Sequence, residues 1–441
     1  MKAQNFPAIL PLLFINLVCY AAMSLLNVEF PVLTNSNKKP SMQVSWTNWA
    51  PRSEISPQFS LDMRGGRAKE TALRIDTVTE EQFGAWRTRL RTLSPGKIYK
   101  FCAWYRVKNV KNERRSVIAR LEWLDSNGNG VMPPEYALDS AVHGEWKKVE
   151  YVCHAPDNAT MLDIQLSLGF SNNSTVWWDE ISIVEIEKMP ERKVAVATVY
   201  YRPRGSKSPS DSVEQFCNLV ETNAPDKLDF VCLPEGITVV GTGKTYVDVS
   251  EQIPGPTTDR LGRLAQKIGA YIVAGIYEKE KNLVYNTAVL IDRKGRLLGK
   301  YRKTHLPREE WESGITPGNT YPVFETEFGK IGIMICWDLQ FPEPARMMSA
   351  KGAEIIFLPI WGGNETLARA RSIENSIFLV SSTYDMRSFI INPVGTILCE
   401  ATKEKPFEWT TIDLNQIYYQ PWLGNMKTRT WKEWRPDILK E

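Results

Sequence analysis

The hydrophobic pattern changes its period once along the chain, near residue 190, and that change constrains the fold more than any other feature. Before it, from 28 to 187, short runs such as "IYKFCAWYRV", "RSVIARLEWLD", "WKKVEYVCHA", "MLDIQLSLGF" and "TVWWDEISIVEI" are rich in Val, Ile, Leu, Tyr and Trp. Turn residues separate them: Ser-Pro-Gly, Asn-Gly-Asn-Gly, Ser-Asn-Asn-Ser. Short strands punctuated in this way predict an all-β sandwich. After a linker at 188–193, around "MPERK", strand-like and helical runs alternate. "VAVATVYY", "LDFVCLPEG", "AYIVAGIYE", "KIGIMIC", "AEIIFLPI" and "IFLVSST" read as strands, with "SVEQFCNLVETN", "TDRLGRLAQKIG" and "LARARSIENS" as helices between some of them. Alternation of this kind predicts an α/β domain with a largely buried sheet over 194–435.

A length of 441 residues accommodates these two domains, and a content of 43% hydrophobic and 24% charged residues is that of a globular protein. The net charge of +3, with no Lys/Arg tract, excludes a nucleic-acid footprint. At the N-terminus, Lys2 precedes an uncharged stretch from Asn5 to Asn27, with Ala21, Ala22 and Ser24 as small residues near its end. Residues 1–26 therefore read as a signal peptide, with a retained anchor as the rival reading; either predicts an extracytoplasmic protein. Val18 before Cys19 does not suit a lipoprotein signal.

Of seven cysteines, Cys19 falls in the leader. Cys102 and Cys153 sit in strand-like runs and would either pair, in an oxidising compartment, or stay as two thiols. Cys217, Cys232, Cys336 and Cys399 show no CxxC spacing, and with three His (His143, His154, His305) no zinc site, and no other cofactor, is expected. "DSNGNG" at 125–130 imitates an EF-hand loop, but Tyr136 stands where the bidentate Glu belongs, so a hairpin turn is expected. "GTGKT" at 241–245 lacks the first Gly of a phosphate loop, since Thr238 stands there, and no helical run follows. Trp177 and Trp178 are adjacent and so face opposite sides of a strand; the one off the core stacks on a sugar ring or packs beneath a loop.

In an α/β sheet, functional groups gather at the C-terminal ends of strands. Three such ends carry unusual polar residues: "FVCLPEG" leads to Glu235, "GKYRKTHLP" carries Lys303, and "GIMICWD" carries Cys336. A thiol nucleophile needs a base for its proton and a cation to stabilise developing negative charge. With so few His, Glu235 and Lys303 would serve. Each residue alone has an ordinary structural reading, since buried thiols are common and strand-end charges usually face solvent.

Taken together and in order, "LPEG", "YRKTHLP" and "ICWDLQFPE" resemble the three motifs of the nitrilase or carbon–nitrogen hydrolase superfamily, supported by "YNTAVLID", "TPGN", "PEPAR" and "GAEIIFLP". The resemblance spans about 193–435. It implies an αββα sandwich, commonly a homodimer, with Glu235 as general base, Lys303 as transition-state stabiliser and Cys336 as nucleophile. The backbone N–H of Trp337 would join Lys303 at the oxyanion. The family often carries a second Glu between the Lys and Cys motifs; Glu309, Glu310 and Glu312 in "REEWESGITPG" compete for it, with Glu310 and Glu312 favoured on different grounds. Arg346 and Glu343 read as a structural ion pair. The aromatic, basic tail at 418–439 would pack across a dimer interface or end the domain.

The all-β region, through "LSPGKIYKFCAWYRV", "HGEWKKVEYVCHAPDNAT" and "STVWWDEISIVE", resembles carbohydrate-binding-module-like, galactose-binding-like jelly rolls, which implies a glycan as its ligand. Leu339-Gln340 stands where N-carbamoyl-D-amino-acid branches carry an Arg pair, which speaks against that substrate. The expected activity is hydrolysis of a linear amide or ureido-type bond in a small molecule, through a thioester. Two alternatives remain: a glycan-binding protein with a silent hydrolase domain, and an acyltransferase using the same thioester.

Overall fold

The computed structural model describes residues 27–32, 42–91, 93–420 and 422–435. The expected leader at 1–26 lies outside them. Among the described residues no helix is long and apolar enough to cross a membrane. The chain divides into two compact units, residues 1–186 and 187–441.

The first unit is built from two six-stranded sheets. One runs in the order Asn27–Val32, Met42–Trp49, Phe83–Leu90, Met161–Gly169, Val117–Leu124, Glu135–Tyr136. The other runs Gln58–Asp62, Ala72–Thr77, Ser174–Ile186, Ile98–Lys108, Trp146–His154, Leu138–His143. Their pairings are antiparallel. Alternation is clean in Ile98–Lys108, where Tyr99, Phe101, Ala103 and Tyr105 are buried. Rings from the two sheets meet: Phe59 on Trp86 at 5.3 Å and Tyr99 on Trp123 at 6.2 Å. The Asn-Gly repeat at 125–130 is a turn, with Asp125 Oδ1 accepting from the Asn127 and Asn129 N–H groups.

Cys102 and Cys153 do lie on neighbouring strands, but Cys102 is opposite Glu150 and Cys153 opposite Tyr99. Three register positions separate the two cysteines, an odd number that turns their side chains to opposite faces. Both are free thiols, which corrects the disulfide alternative. Trp178 is fully buried. Trp177, on the other face, is also covered: its indole donates to Asp62 (2.8 Å) and the Arg106 guanidinium lies 3.8 Å over its ring. That cation occupies the face a sugar would use.

The second unit also holds two six-stranded sheets. The first runs Leu297–Arg302, Leu283–Ile291, Tyr271–Glu280, Phe230–Cys232, Lys193–Val199, Phe407–Asp413. The second runs Val323–Thr326, Gly329–Ile333, Ile355–Pro359, Phe378–Ser382, Ser388–Ile391, Ile397–Ala401. Each has three parallel strands at its centre, the arrangement that strand–helix alternation produces. One apolar cluster joins the inner faces of both sheets, with Val196, Phe230 and Val273 from the first and Ile333, Phe357 and Val380 from the second. A second cluster places Val213, Phe216, Cys217 and Val220 of helix Pro209–Asn223, and Leu261, Leu264 and Ala265 of helix Pro256–Ile268, against the first sheet. Their i, i+3, i+4, i+7 spacing is what makes one stripe face the sheet. A third places Ala345 and Met348 of helix Glu343–Ala350 and Ala368 of helix Glu365–Asn375 against the second sheet.

Helix starts follow capping chemistry. Ser208 accepts from the Asp211 N–H with Pro209 next to it, and Asn364 accepts from the Leu367 N–H. Gly269 ends its helix at φ +66°, which a residue without Cβ reaches at little cost. The expected pair between Arg346 and Glu343 is not among the ion pairs of the described residues; Arg346 instead feels the charge of Glu374, because Glu343 is on the exposed side of its helix. In the tail, Tyr419–Gln420 pairs with Gly424–Asn425 ahead of helix Met426–Glu433, and Trp422 is exposed.

Candidate active site

The central strands of both sheets in the second unit end on the same side, and the loops that follow them carry the polar residues. Strand Phe230–Cys232 leads through Leu233-Pro234 to Glu235, which is buried. Strand Leu297–Arg302 leads directly to Lys303, whose side chain is 1% exposed. Burying an ammonium is costly unless it is paired, and Lys303 has two partners: Nζ lies 2.9 Å from Glu235 Oε1 and 2.8 Å from Glu310 Oε2. Burial works to lower the Lys303 pKa, but the carboxylates of Glu235 and Glu310 outweigh it and raise it well above its ordinary value. The two carboxylates thus favour the charged form of Lys303.

Strand Gly329–Ile333 stops before the apolar run does, and Met334-Ile335 feed a short 3₁₀ turn, Cys336–Gln340. Cys336 opens that turn at φ +43°, a left-handed conformation uncommon outside glycine. Glu235 and the Trp361 backbone N–H both act on its thiol. Burial, then the Glu235 charge, push the thiol pKa up, against Lys303, which lowers it. The site thus favours the protonated thiol. Trp337 follows in the first turn of the 3₁₀ segment, where backbone N–H groups have no acceptor within the helix. Its side chain is exposed.

Among the three competing glutamates, Glu310 is buried at the cluster, and its carboxyl also accepts from the Tyr277 hydroxyl at 3.2 Å. Burial raises its pKa; Lys303 opposes that and Glu235 adds to it. Glu312 lies outside the cluster, at the surface, paired with Arg308 at 2.7 Å. Glu309 is exposed as well. The turn Arg308–Glu312 presents one of its glutamates inward, and positions one or two residues away point elsewhere.

Two functional residues escaped the sequence reading. Asn286, in "YNTAVLID", is fully buried, and its amide donates to Glu235 Oε1 (2.7 Å) and to Glu310. Its backbone carbonyl accepts from the Lys303 N–H at 2.9 Å, so one residue ties Glu235, Glu310 and Lys303 together. Asp338 ties the lysine loop to the cysteine turn. It accepts from Tyr301 Oη (2.8 Å), Thr304 Oγ1 (3.0 Å) and the His305 N–H (3.0 Å), and also from the Ile335 N–H (3.0 Å). An Asn inside a largely apolar strand and an Asp two places after Cys336 are the signals that could have found them.

Comparison with known proteins completes the assignment. The carbon-nitrogen hydrolase profile matches residues 195–421. This chain belongs to the carbon-nitrogen hydrolase family. A protein named as a probable nitrilase from Schizosaccharomyces pombe is 34% identical over 243 residues, 50% of this hydrolase and 87% of that protein. An omega-amidase from Xenopus tropicalis is 29% identical over 237 residues, 47% of this chain and 85% of the relative. Among solved structures, a carbon-nitrogen hydrolase from Helicobacter pylori G27 aligns with 25% identity over 57% of this chain and 99% of that one, at a TM-score of 0.47. The hydrolase is accordingly an enzyme that acts on non-peptide carbon–nitrogen bonds.

Proposed function

We propose that this hydrolase cleaves a linear amide or ureido-type bond of a small molecule through a thioester on Cys336, with Glu235 and Lys303 completing a triad in an αββα nitrilase-like domain. The observation that carries the reading is the buried cluster in which Lys303 pairs with both Glu235 and Glu310, with the Cys336 thiol under the influence of Glu235 and Lys303. Glu235 takes the Sγ proton as sulfur bonds to the carbonyl carbon. The carbonyl oxygen becomes an oxyanion, held by Lys303 Nζ and the Trp337 N–H. As the tetrahedral species collapses, the C–N bond breaks and Glu235 returns the proton to the departing nitrogen. Water then attacks the thioester with Glu235 again as base, releasing the acid and the Cys336 thiol. Glu310 keeps Lys303 charged and fixed.

Export and homodimer formation belong to the same reading. The uncharged stretch from Asn5 to Asn27 supports the first. The test is mass spectrometry of the protein mixed with a primary amide and quenched early. An acyl adduct on Cys336, absent from Cys336→Ala and kept in Cys232→Ala, supports the thioester route. Free acid without an adduct in any quench, and activity retained in Cys336→Ala, sinks it. Added hydroxylamine that diverts the acyl group without product acid forming in its absence would move the assignment to acyl transfer.

A further inference from the structure

Two aromatic residues border the reacting groups from different elements. Tyr246 lies in the 241–250 loop, and its ring stacks on Tyr277 with centroids 4.6 Å apart and planes at 18°. Tyr277 in turn donates to Glu310. Tyr246 is thus one stacked ring away from the Glu310 carboxyl. Trp361 follows strand Ile355–Pro359; its ring lies 3.9 Å from where a Cβ on Gly236, the neighbour of Glu235, would be, and packs edge-on to Tyr384 at 4.8 Å. Tyr384 donates to the Glu235 carbonyl at 2.6 Å. Tyr246 and Trp361 are both half-buried and both rest on one apolar cluster that includes Val239 and Ile315. The surface beside the thiol is therefore aromatic and aliphatic.

The cations near it already have carboxylate partners. Lys303 faces two carboxylates. Arg202 lies over the rings of Trp361 (5.4 Å) and Tyr384 (5.6 Å), and its guanidinium is paired with Asp385 at 2.8 Å. A substrate carrying a carboxylate on its acyl side would have to displace Asp385 or sit near Glu235 and Glu310. An uncharged acyl chain meets neither obstacle. We infer that the site takes an uncharged acyl group bordered by Tyr246 and Trp361, and that the Arg202–Asp385 pair discriminates against acyl chains ending in a carboxylate. This inference rests on the amide-hydrolysis reading above.

The test compares valeramide with glutaramate, amides of equal chain length that differ in a terminal methyl or carboxylate. Valeramide is expected to have the higher kcat/KM by about tenfold or more. Asp385→Asn, which releases Arg202, is expected to raise the glutaramate-to-valeramide ratio several-fold, and Arg202→Gln on top of it to cancel that gain. Tyr246→Ala is expected to lower kcat/KM for valeramide about tenfold while acetamide, too short to reach the ring, changes much less. Tyr246→Phe is expected to retain valeramide turnover. A wild-type preference for glutaramate that Arg202→Gln abolishes overturns the inference while leaving amide hydrolysis standing. Absence of turnover on every amide, with no acyl adduct on Cys336, removes the hydrolysis reading and this inference with it.

Discussion

Glu310 and Glu312 show how little sequence distance says about a site. They are two positions apart on one helical turn, so their side chains point roughly 200° apart. Glu310 is buried against Lys303, and Glu312 is in water with Arg308. Glu310→Gln is expected to lower kcat/KM by about a hundredfold, since it removes one of two counter-charges that hold the oxyanion donor. Glu312→Gln is expected to stay within about twofold, because an exposed pair contributes about 1 kcal/mol or less. Steady-state hydrolysis of a single amide by both variants checks this. Equal losses would place the helix differently from what is described here.

At the scale of elements, two backbone features position Cys336 and Glu235. Cys336 sits at φ +43°, so an alanine there keeps the strain while a glycine relieves it. Cys336→Gly is therefore expected to be more stable than Cys336→Ala by about 1 kcal/mol, the reverse of the usual order, as read by urea denaturation. The second feature is Gly275, in the middle of strand Tyr271–Glu280. A Cβ there would lie 2.6 Å from the Glu235 Cα and 3.0 Å from the Gly236 nitrogen. The missing side chain lets the loop that carries Glu235 lie against the strand. Gly275→Ala is expected to displace Glu235 and lower kcat by about tenfold or more, with far-UV circular dichroism unchanged. Unaltered kcat in that variant would show that the loop does not rest on the strand in solution.

At the scale of the molecule, the cysteines link packing to pH. Burial pushes the thiols of Cys217 and Cys232 up to about 12, and that of Cys102 up to about 11, from an ordinary 9.0. A raised thiol pKa means that the folded state favours the protonated form. The stability this contributes is whole below about pH 9 and is lost as pH climbs toward the folded values. The free energy of unfolding, measured under reducing conditions, is expected to fall between about pH 9 and 11. Cys232→Ala is expected to show a shallower fall. A flat profile would mean that these thiols are as exposed to hydroxide in the folded chain as in the unfolded one.

The two-part organisation was legible because a period of two and a strand–helix alternation are local properties of the backbone and its side chains. The turn at 125–130 was legible for the same reason, as were the strand ends that carry Glu235, Lys303 and Cys336. Family motifs then named those three residues before any distance was known. What the sequence could not decide were facts of register and direction. Whether Cys102 and Cys153 meet depends on a three-residue offset between neighbouring strands. Whether Trp177 is open depends on which guanidinium lies over it. Which glutamate reaches Lys303, and that Asn286 and Asp338 fasten the site together, depends on loops brought close from positions far apart in the chain. Those contacts form only when the sheets close over a shared core, so tertiary structure alone decided them.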